Sequence, residues 1–181
     1  MLYVLKFTGP FGFIRPWTAV RDGKTFSQQF LTPSIIEGIR QKLEVNSILR
    51  HKLTYQSISV QQEQTHPRGW EERRSLKLMI RNKSIIERGI MIDPSLYIAF
   101  DNMSDAKKAE KQHICLCRNE DVLFPNSKII EMSEDDFDKI TGFELRFGID
   151  DKSFLVGFDR YNNSKPMYGW LEITGKPVTG M

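Results

Sequence analysis

The sequence predicts an α+β fold built around an antiparallel sheet. Three observations support this prediction. Short stretches with alternating apolar residues recur along the chain, few stretches have helical periodicity, and the chain opens with a strand, a long loop and a helix. The 181 residues, 40% hydrophobic and 27% charged, suit one domain or one domain with a modest appendage. No apolar run of about 18 residues is present, so we expect no membrane span.

The N-terminal segment predicts the first strand, a long loop and the first helix. Residues 2–8, LYVLKFT, alternate enough for a strand, and the glycines and prolines of residues 9–31 indicate a loop or loose hairpin. Thr32 is a suitable N-cap, and Pro33 fits the first helical position because its missing N–H needs no partner there. Gly38 lies inside the helix, where we expect it to permit close approach to the sheet. The helix is predicted over residues 33–43, with an apolar stripe at Ile35, Ile36, Ile39 and Leu43.

Extended segments follow this helix. Residues 48–62 alternate apolar and polar side chains, whereas residues 63–74, with their Pro-Arg-Gly sequence, predict a loop. Residues 75–92 predict a hairpin that turns at Arg81–Ser84, and the SLYIAF stretch after Pro94 predicts another strand. We expect residues 2–8, residues 51–61 and the hairpin over 75–92 to share one antiparallel sheet, with the helix over 33–43 packed on one face.

The second half of the chain predicts two helices and more strands. Residues 104–118 are predicted to be helical, with Ser104 as the cap, and IIEM predicts a short strand. Ser133 caps a short acidic helix over 133–140. Residues 142–161 predict a second hairpin, and MYGWLEI predicts the final strand.

This order of elements is compatible with a ferredoxin-like βαββαβ core whose helices lie on one face of the sheet. A small C-terminal β extension would follow the core. We therefore predict a core with a long first loop over residues 1–118 and a β-hairpin extension over residues 119–181, or one continuous domain.

Charge is distributed unevenly between the two halves of the chain. Residues 1–92 carry 15 Lys and Arg against 7 Asp and Glu, a net charge of +8, whereas residues 93–181 carry a net charge of −5. Such asymmetry favours a polyanion partner for the first half, although solvated charges cluster by chance as well. Cys115 and Cys117 are spaced poorly for a disulfide or a zinc site, so we expect a cytoplasmic, reduced protein without a cofactor.

Two groups of residues combine cations with aromatic rings, as single-strand binders do. Cations take phosphates and rings stack on unpaired bases, although the rings also fit a loop packed on the core, and the cations a solvated face. The first group is Phe13, Arg15, Trp17, Arg21 and Lys24; the second is Arg50, His51, Lys52, Arg68, Arg73 and Arg74.

The segment from Leu5 to Ile39 also carries a family resemblance. Gly12-Phe13-Ile14-Arg15-Pro16, Thr32-Pro33-Ser34 and Gly38-Ile39 resemble motifs of the CRISPR-associated RAMP proteins at the five-prime end of the guide RNA in type I Cascade complexes. SLKLMIRNKSIIERGIMI and the C-terminal FLVGFDRYNNSKPMYGWLEITGKPVTG resemble later parts of the same family, the Cas five family, in its type I-C form. The resemblance implies an RRM-like fold and three partners: the guide-RNA five-prime handle, the backbone RAMP subunit and the large subunit.

Some members of that family cut precursor RNA. For those members, the resemblance implies a tyrosine just after the first helix and an adjacent Lys-His pair. Here the helix ends as RQKLEVN, without a tyrosine, and the nearest candidates are Tyr55, Lys111 and His113. If the chain cuts RNA, we expect a metal-independent reaction with His113 as acid or base and Lys111 as charge stabiliser.

The sequence therefore predicts a subunit of a type I-C-like effector that holds the five-prime handle of the guide RNA. Two alternatives stay open. One is a metal-independent endoribonuclease acting on precursor guide RNA, and the other is a stand-alone relative that mimics the subunit and inhibits an effector.

Overall fold

The computed structural model describes residues 1–16, 23–65, 69–81, 84–159 and 162–180. Over these residues the chain is a mixed α+β fold with few helices and mostly antiparallel sheets, which confirms the predicted class. None of the helices in these ranges is both long and apolar enough to cross a membrane. The strands are β1 (Leu2–Thr8), β2 (Phe11–Gly12), β3 (Lys24–Phe26), β4 (Arg50–Thr54), β5 (Ser57–Thr65), β6 (Glu71–Arg73), β7 (Leu78–Ile80), β8 (Ser84–Ile92), β9 (Ser95–Phe100), β10 (Ile114–Cys115), β11 (Val122–Pro125), β12 (Ile130–Met132), β13 (Gly142–Phe147), β14 (Phe154–Asp159) and β15 (Lys165–Thr174), and the helices are α1 (Pro33–Leu43), α2 (Met103–Ala109) and α3 (Glu134–Asp138).

The larger sheet runs in the order β10-β11-β1-β9-β4-β13-β15-β14, and β12 also pairs with β1. At its centre, β1 and β9 form a six-residue antiparallel ladder from Tyr3↔Phe100 to Thr8↔Ser95. The C-terminal strands continue this sheet beyond β4, through the pair Phe143↔Leu53. In the described residues β14 pairs with β15 alone, so it forms one edge, where Phe154, Leu155 and Phe158 are exposed.

Helices cover both faces of the centre of this sheet. The stripe of α1 contributes Ile39 and Leu43 to the main core, and α2 contributes Ala106 and Ala109 to the same core. On the opposite face, Phe137 of α3 forms a second apolar cluster with β1 and β9. The odd residues of β1 face the first core and the even residues face the second, because successive side chains of a strand alternate. The helices α1 and α2 therefore share one face, and α3 takes the other.

The second sheet is built on a long pair of strands. β5 and β8 pair over nine residues, from Ser57↔Ile92 to Thr65↔Ser84. β2 and β3 lie on the other side of β8, antiparallel and parallel respectively. The predicted hairpin over 75–92 is therefore wrong, because β7 pairs with β6, and β8 pairs with β5. The predicted single sheet is also wrong, because β5 and β8 lie in a different sheet from β1. Alternation identified the strands, but nine complementary positions on β5 outcompete the three that β7 offers.

Two further elements differ from the prediction. The helix predicted over 104–118 spans only α2, and its N-cap is Asn102, whose side chain accepts from Asp105 N–H at 2.8 Å. The residues after it leave the helix because Ile114–Cys115 pair with β11. The predicted hairpin over 142–161 is also wrong. β13 and β14 lie on opposite sides of β15, and β13 pairs with β15 over six residues.

Helix α1 matches its predicted bounds. The Thr32 carbonyl accepts from the N–H groups of Ile35 and Ile36, each at 3.0 Å, so the cap is made by the backbone. Gly38, however, is exposed, and a Cβ built on it meets no atom within 4 Å. The expectation that Gly38 permits close approach to the sheet is therefore wrong, and the glycine only adds backbone freedom to the unfolded chain.

We expect Gly38→Ala to stabilise the protein by about 0.5–1 kcal/mol, because alanine restricts the unfolded chain and fits the open space. The measurement is the midpoint and slope of urea unfolding. Gly142→Ala is the matched control, because its Cβ would come within 2.8 Å of Lys52 Cβ, and it should lower stability. A stability loss in Gly38→Ala would contradict this assignment.

Candidate nucleic-acid interface

The segment after β2 is tied to the end of β3 beside the second sheet. Ile14 N–H donates to Ser27 Oγ at 2.9 Å, and Gln28 N–H donates to the Ile14 carbonyl at 2.8 Å. These bonds place Arg15, which is exposed, next to β3. Lys24 in β3 is also exposed, and its Nζ lies 3.5 Å from Glu87 Oε2. Arg15 and Lys24 are thus available to a phosphate, since an exposed ion pair such as that of Lys24 is weak.

Phe13 is placed differently from the expectation that it stacks on a base. Its side chain is only 1% exposed. The guanidinium groups of Arg88 and Arg118 lie 5.3 and 5.6 Å from its ring centroid. Arg118 is held in turn by Asp121, whose carboxylate accepts from Nε at 2.9 Å and Nη2 at 2.7 Å. We therefore correct Phe13 to a core residue, fixed by two cations that sequence reasoning missed because they lie far away along the chain.

Arg50, in β4, is buried and satisfied by acidic side chains. Its Nε donates to Glu144 Oε1 at 2.8 Å, and its Nη2 donates to Glu144 Oε2 at 2.7 Å. The same Nη2 lies 2.6 Å from Asp138 Oδ1. Burial acts to lower the Arg50 pKa, but the hydrogen bonds and charges of Glu144 and Asp138 outweigh it and hold the pKa above its usual value.

Lys52 is fully buried, two residues further along the same strand. Its Nζ donates to the carbonyls of Asp138 and Ile140 at 2.8 and 2.7 Å, where α3 ends, and to Thr174 Oγ1 at 3.1 Å. Burial lowers the Lys52 pKa below its usual value, against the attraction of Glu144. The ammonium group therefore closes the C-terminal end of α3, a role that suits a cation.

His51 faces the opposite core and is 2% exposed. Its Nε2 is buried without a hydrogen-bond partner in the described part of the chain. Burial, together with the charge of Arg50, lowers the pKa of His51 to about 3. We correct Arg50, His51 and Lys52 from RNA contacts to structural residues, because none of them presents a charge at the surface.

The remaining predicted cations lie at the separate two-stranded sheet of β6 and β7 or outside the described residues. Arg73 and Arg74 are exposed on β6 and the turn after it, and Arg74 Nε lies 3.4 Å from Glu72 Oε2. Beside them, the guanidinium of Arg81 lies 5.6 Å from the ring centroid of the exposed Trp70. Trp17, Arg21 and Arg68 lie outside the described residues.

The three candidate catalytic residues occupy different environments. Tyr55 is buried, and its hydroxyl accepts from Gln29 Nε2 at 2.7 Å. Burial raises the Tyr55 pKa, which disfavours proton transfer near neutral pH. Lys111 and His113 are exposed after the end of α2, where the His113 ring lies 6.0 Å from that of Phe124. The structure therefore leaves Tyr55 in the core and the other two at the surface.

Within the described ranges, no group of three or more His, Cys, Asp or Glu side chains is placed to hold a metal ion. Cys115 and Cys117 are exposed free thiols. A cleft of about 980 Å³ separates the start of α1 from β14, with Ser34 and Glu37 on one wall and Phe158 on the other.

The low pKa of His51 predicts a pH-dependent stability. The unfolded chain binds a proton near pH 6.5, whereas the folded protein does so only near pH 3, so stability falls as the pH drops below about 6.5. We expect a loss of about 1.4 kcal/mol per pH unit at most, measured by urea unfolding between pH 7 and pH 5. His51→Leu should flatten this dependence, and His113→Gln should retain it because His51 is left in place. Equal slopes in the wild type and His51→Leu would contradict the assignment.

Comparison with known proteins assigns this chain to no family. No protein-family model matches it, and no curated protein is significantly similar to it.

Proposed function

We propose that this protein is the subunit of a type I-C-like CRISPR effector that holds the five-prime handle of the guide RNA. The observation that carries the proposal is the order of the central strands: β11 and β12 pair with the two ends of one edge of β1, and β9 and then β4 follow on its other edge. With α1 after β1 and α2 after β9, both on one face, this order supports a ferredoxin-like βαββαβ core. That fold is the one implied by the family resemblance.

The exposed charges support RNA as the ligand. Arg15 and Lys24 are exposed next to and in β3 of the second sheet, and Arg73 and Arg74 are exposed in and just after β6, which forms a separate two-stranded sheet with β7. All four belong to residues 1–92, which carry a net charge of +8. A positively charged surface of this kind tracks a phosphate backbone, and contacts to phosphate make affinity depend steeply on salt.

The cleaving alternative gains no support from the placement of its residues. The Tyr55 hydroxyl is buried and occupied by Gln29, whereas Lys111 and His113 are exposed outside the core. RNA binding without cleavage therefore remains the proposal.

Co-purification from the native host tests this proposal directly. A tagged chain should recover the backbone RAMP subunit, the large subunit and small RNAs that share a repeat-derived five-prime end. Recovery of an intact effector that the tagged chain inhibits would favour the mimic. Recovery of neither RNA nor effector subunits would overturn the proposal.

Charge reversal should locate the RNA surface. We expect Arg15→Glu with Lys24→Glu to weaken binding of single-stranded RNA more than Lys165→Glu with Lys176→Glu. The first pair is exposed in the half of the chain that carries the net charge of +8, whereas the second pair lies in the half with a net charge of −5. The measurement is the dissociation constant over a series of salt concentrations, with duplex DNA as competitor. The first double variant should also lower the slope of log K against log salt by roughly one to two. Equal losses in the two double variants would mean that binding responds to net charge and not to a site.

A further inference from the structure

Phe26, at the end of β3, lies across a glycine of the neighbouring strand. Its partner in the parallel ladder is Gly89 of β8. A Cβ built on Gly89 would come within 2.2 to 3.0 Å of three ring atoms of Phe26, Cδ1, Cε1 and Cγ. Because Gly89 has no side chain, the Phe26 ring can lie directly against β8. Phe26 nevertheless remains 50% exposed.

The backbone around this ring is fixed before any ligand arrives. Ser27 N–H donates to the Gly89 carbonyl at 2.7 Å, directly after the ring. Ser27 Oγ accepts from Ile14 N–H at 2.9 Å and also donates to the carbonyl of Gln28 at 3.0 Å. Because these bonds hold the strand from both sides, little further ordering is needed when a ligand contacts the ring.

The Phe26 ring has an apolar side chain and a cation as neighbours on the same face of the sheet. Val60 of β5 also pairs with Gly89, so it lies on the same face of the sheet as Phe26, and it is 48% exposed. Lys24 lies two residues before Phe26 on that face, and its Nζ is 5.6 Å from the ring centroid. The exposed Arg15 follows Ile14, which is bonded to Ser27.

We propose that Phe26 is a stacking platform for an unpaired base of single-stranded RNA, with Lys24 taking the adjacent phosphate. Every base has a π-face, so an exposed ring with a neighbouring cation suits a single strand, whereas the bases of a duplex are already stacked. This inference rests on the proposed RNA-binding function and adds a residue to it.

Three substitutions test the platform. Phe26→Leu keeps an apolar side chain but removes the π-face, and it should weaken binding of oligouridine and oligoadenosine RNA by about 5- to 150-fold. Phe26→Trp should retain binding, and its added fluorescence, obtained by subtracting the wild-type signal, should be quenched when RNA binds. Phe158→Leu is the matched control, because Phe158 is 56% exposed on β14, in the larger sheet, and this variant should bind as the wild type does.

The outcomes distinguish failure of the stacking platform from failure of the proposed function. Wild-type RNA binding that Phe26→Leu leaves unchanged, or that Phe158→Leu weakens equally, overturns the platform alone. Unquenched fluorescence in an RNA-bound Phe26→Trp variant also overturns it. Failure of the wild type to bind any of these RNAs overturns both the platform and the proposed function. Urea unfolding of each variant identifies any loss of binding that comes from loss of folding.

Discussion

The burial of Arg50 and Lys52 in β4 is the constraint on which much of the structure depends. Removing a charge from water costs several kcal/mol unless partners replace the lost hydration. The partners here come from far along the chain: Glu144 from β13, the end of α3, and Thr174 from β15. The larger sheet can therefore close around β4 only when the C-terminal elements are in place, and these elements also bury the second apolar cluster around Phe137.

Sequence patterns located elements well where the signal was local. The Thr-Pro-Ser sequence and the isoleucine stripe predicted α1 with its observed bounds, and Ser133 predicted the cap of α3. Strand partners were predicted poorly, because alternation describes one strand and carries no information about which neighbour offers the longest register. The hairpin predicted over 75–92 failed for this reason, since β8 finds nine partners on β5.

The candidate site was predicted only in part, for a related reason. Arg15 and Lys24 are exposed as expected, because short cationic stretches in a glycine-rich loop seldom have a core to enter. The Arg-His-Lys run of β4 looked like a surface patch, and only distant partners explain the burial of its two cations: the carboxylate of Glu144 for Arg50 and the carbonyls at the end of α3 for Lys52. Phe13 likewise depends on Arg88 and Arg118, contacts that no local pattern contains. The placement of the Phe26 ring depends on a glycine 63 positions away in the sequence, so it follows only from the fold.

The strand β14, which pairs with β15 alone within the described ranges, has a consequence for the behaviour of the chain in concentrated solution. An edge strand offers unpaired backbone groups to any other strand, and charged residues or proline usually protect it. Here Phe154, Leu155 and Phe158 are exposed along that edge, and the bulge between Leu155 and Gly157 is the main interruption to further pairing. Self-association through this edge should therefore compete with folding during expression, and light scattering should rise with protein concentration unless a partner covers β14.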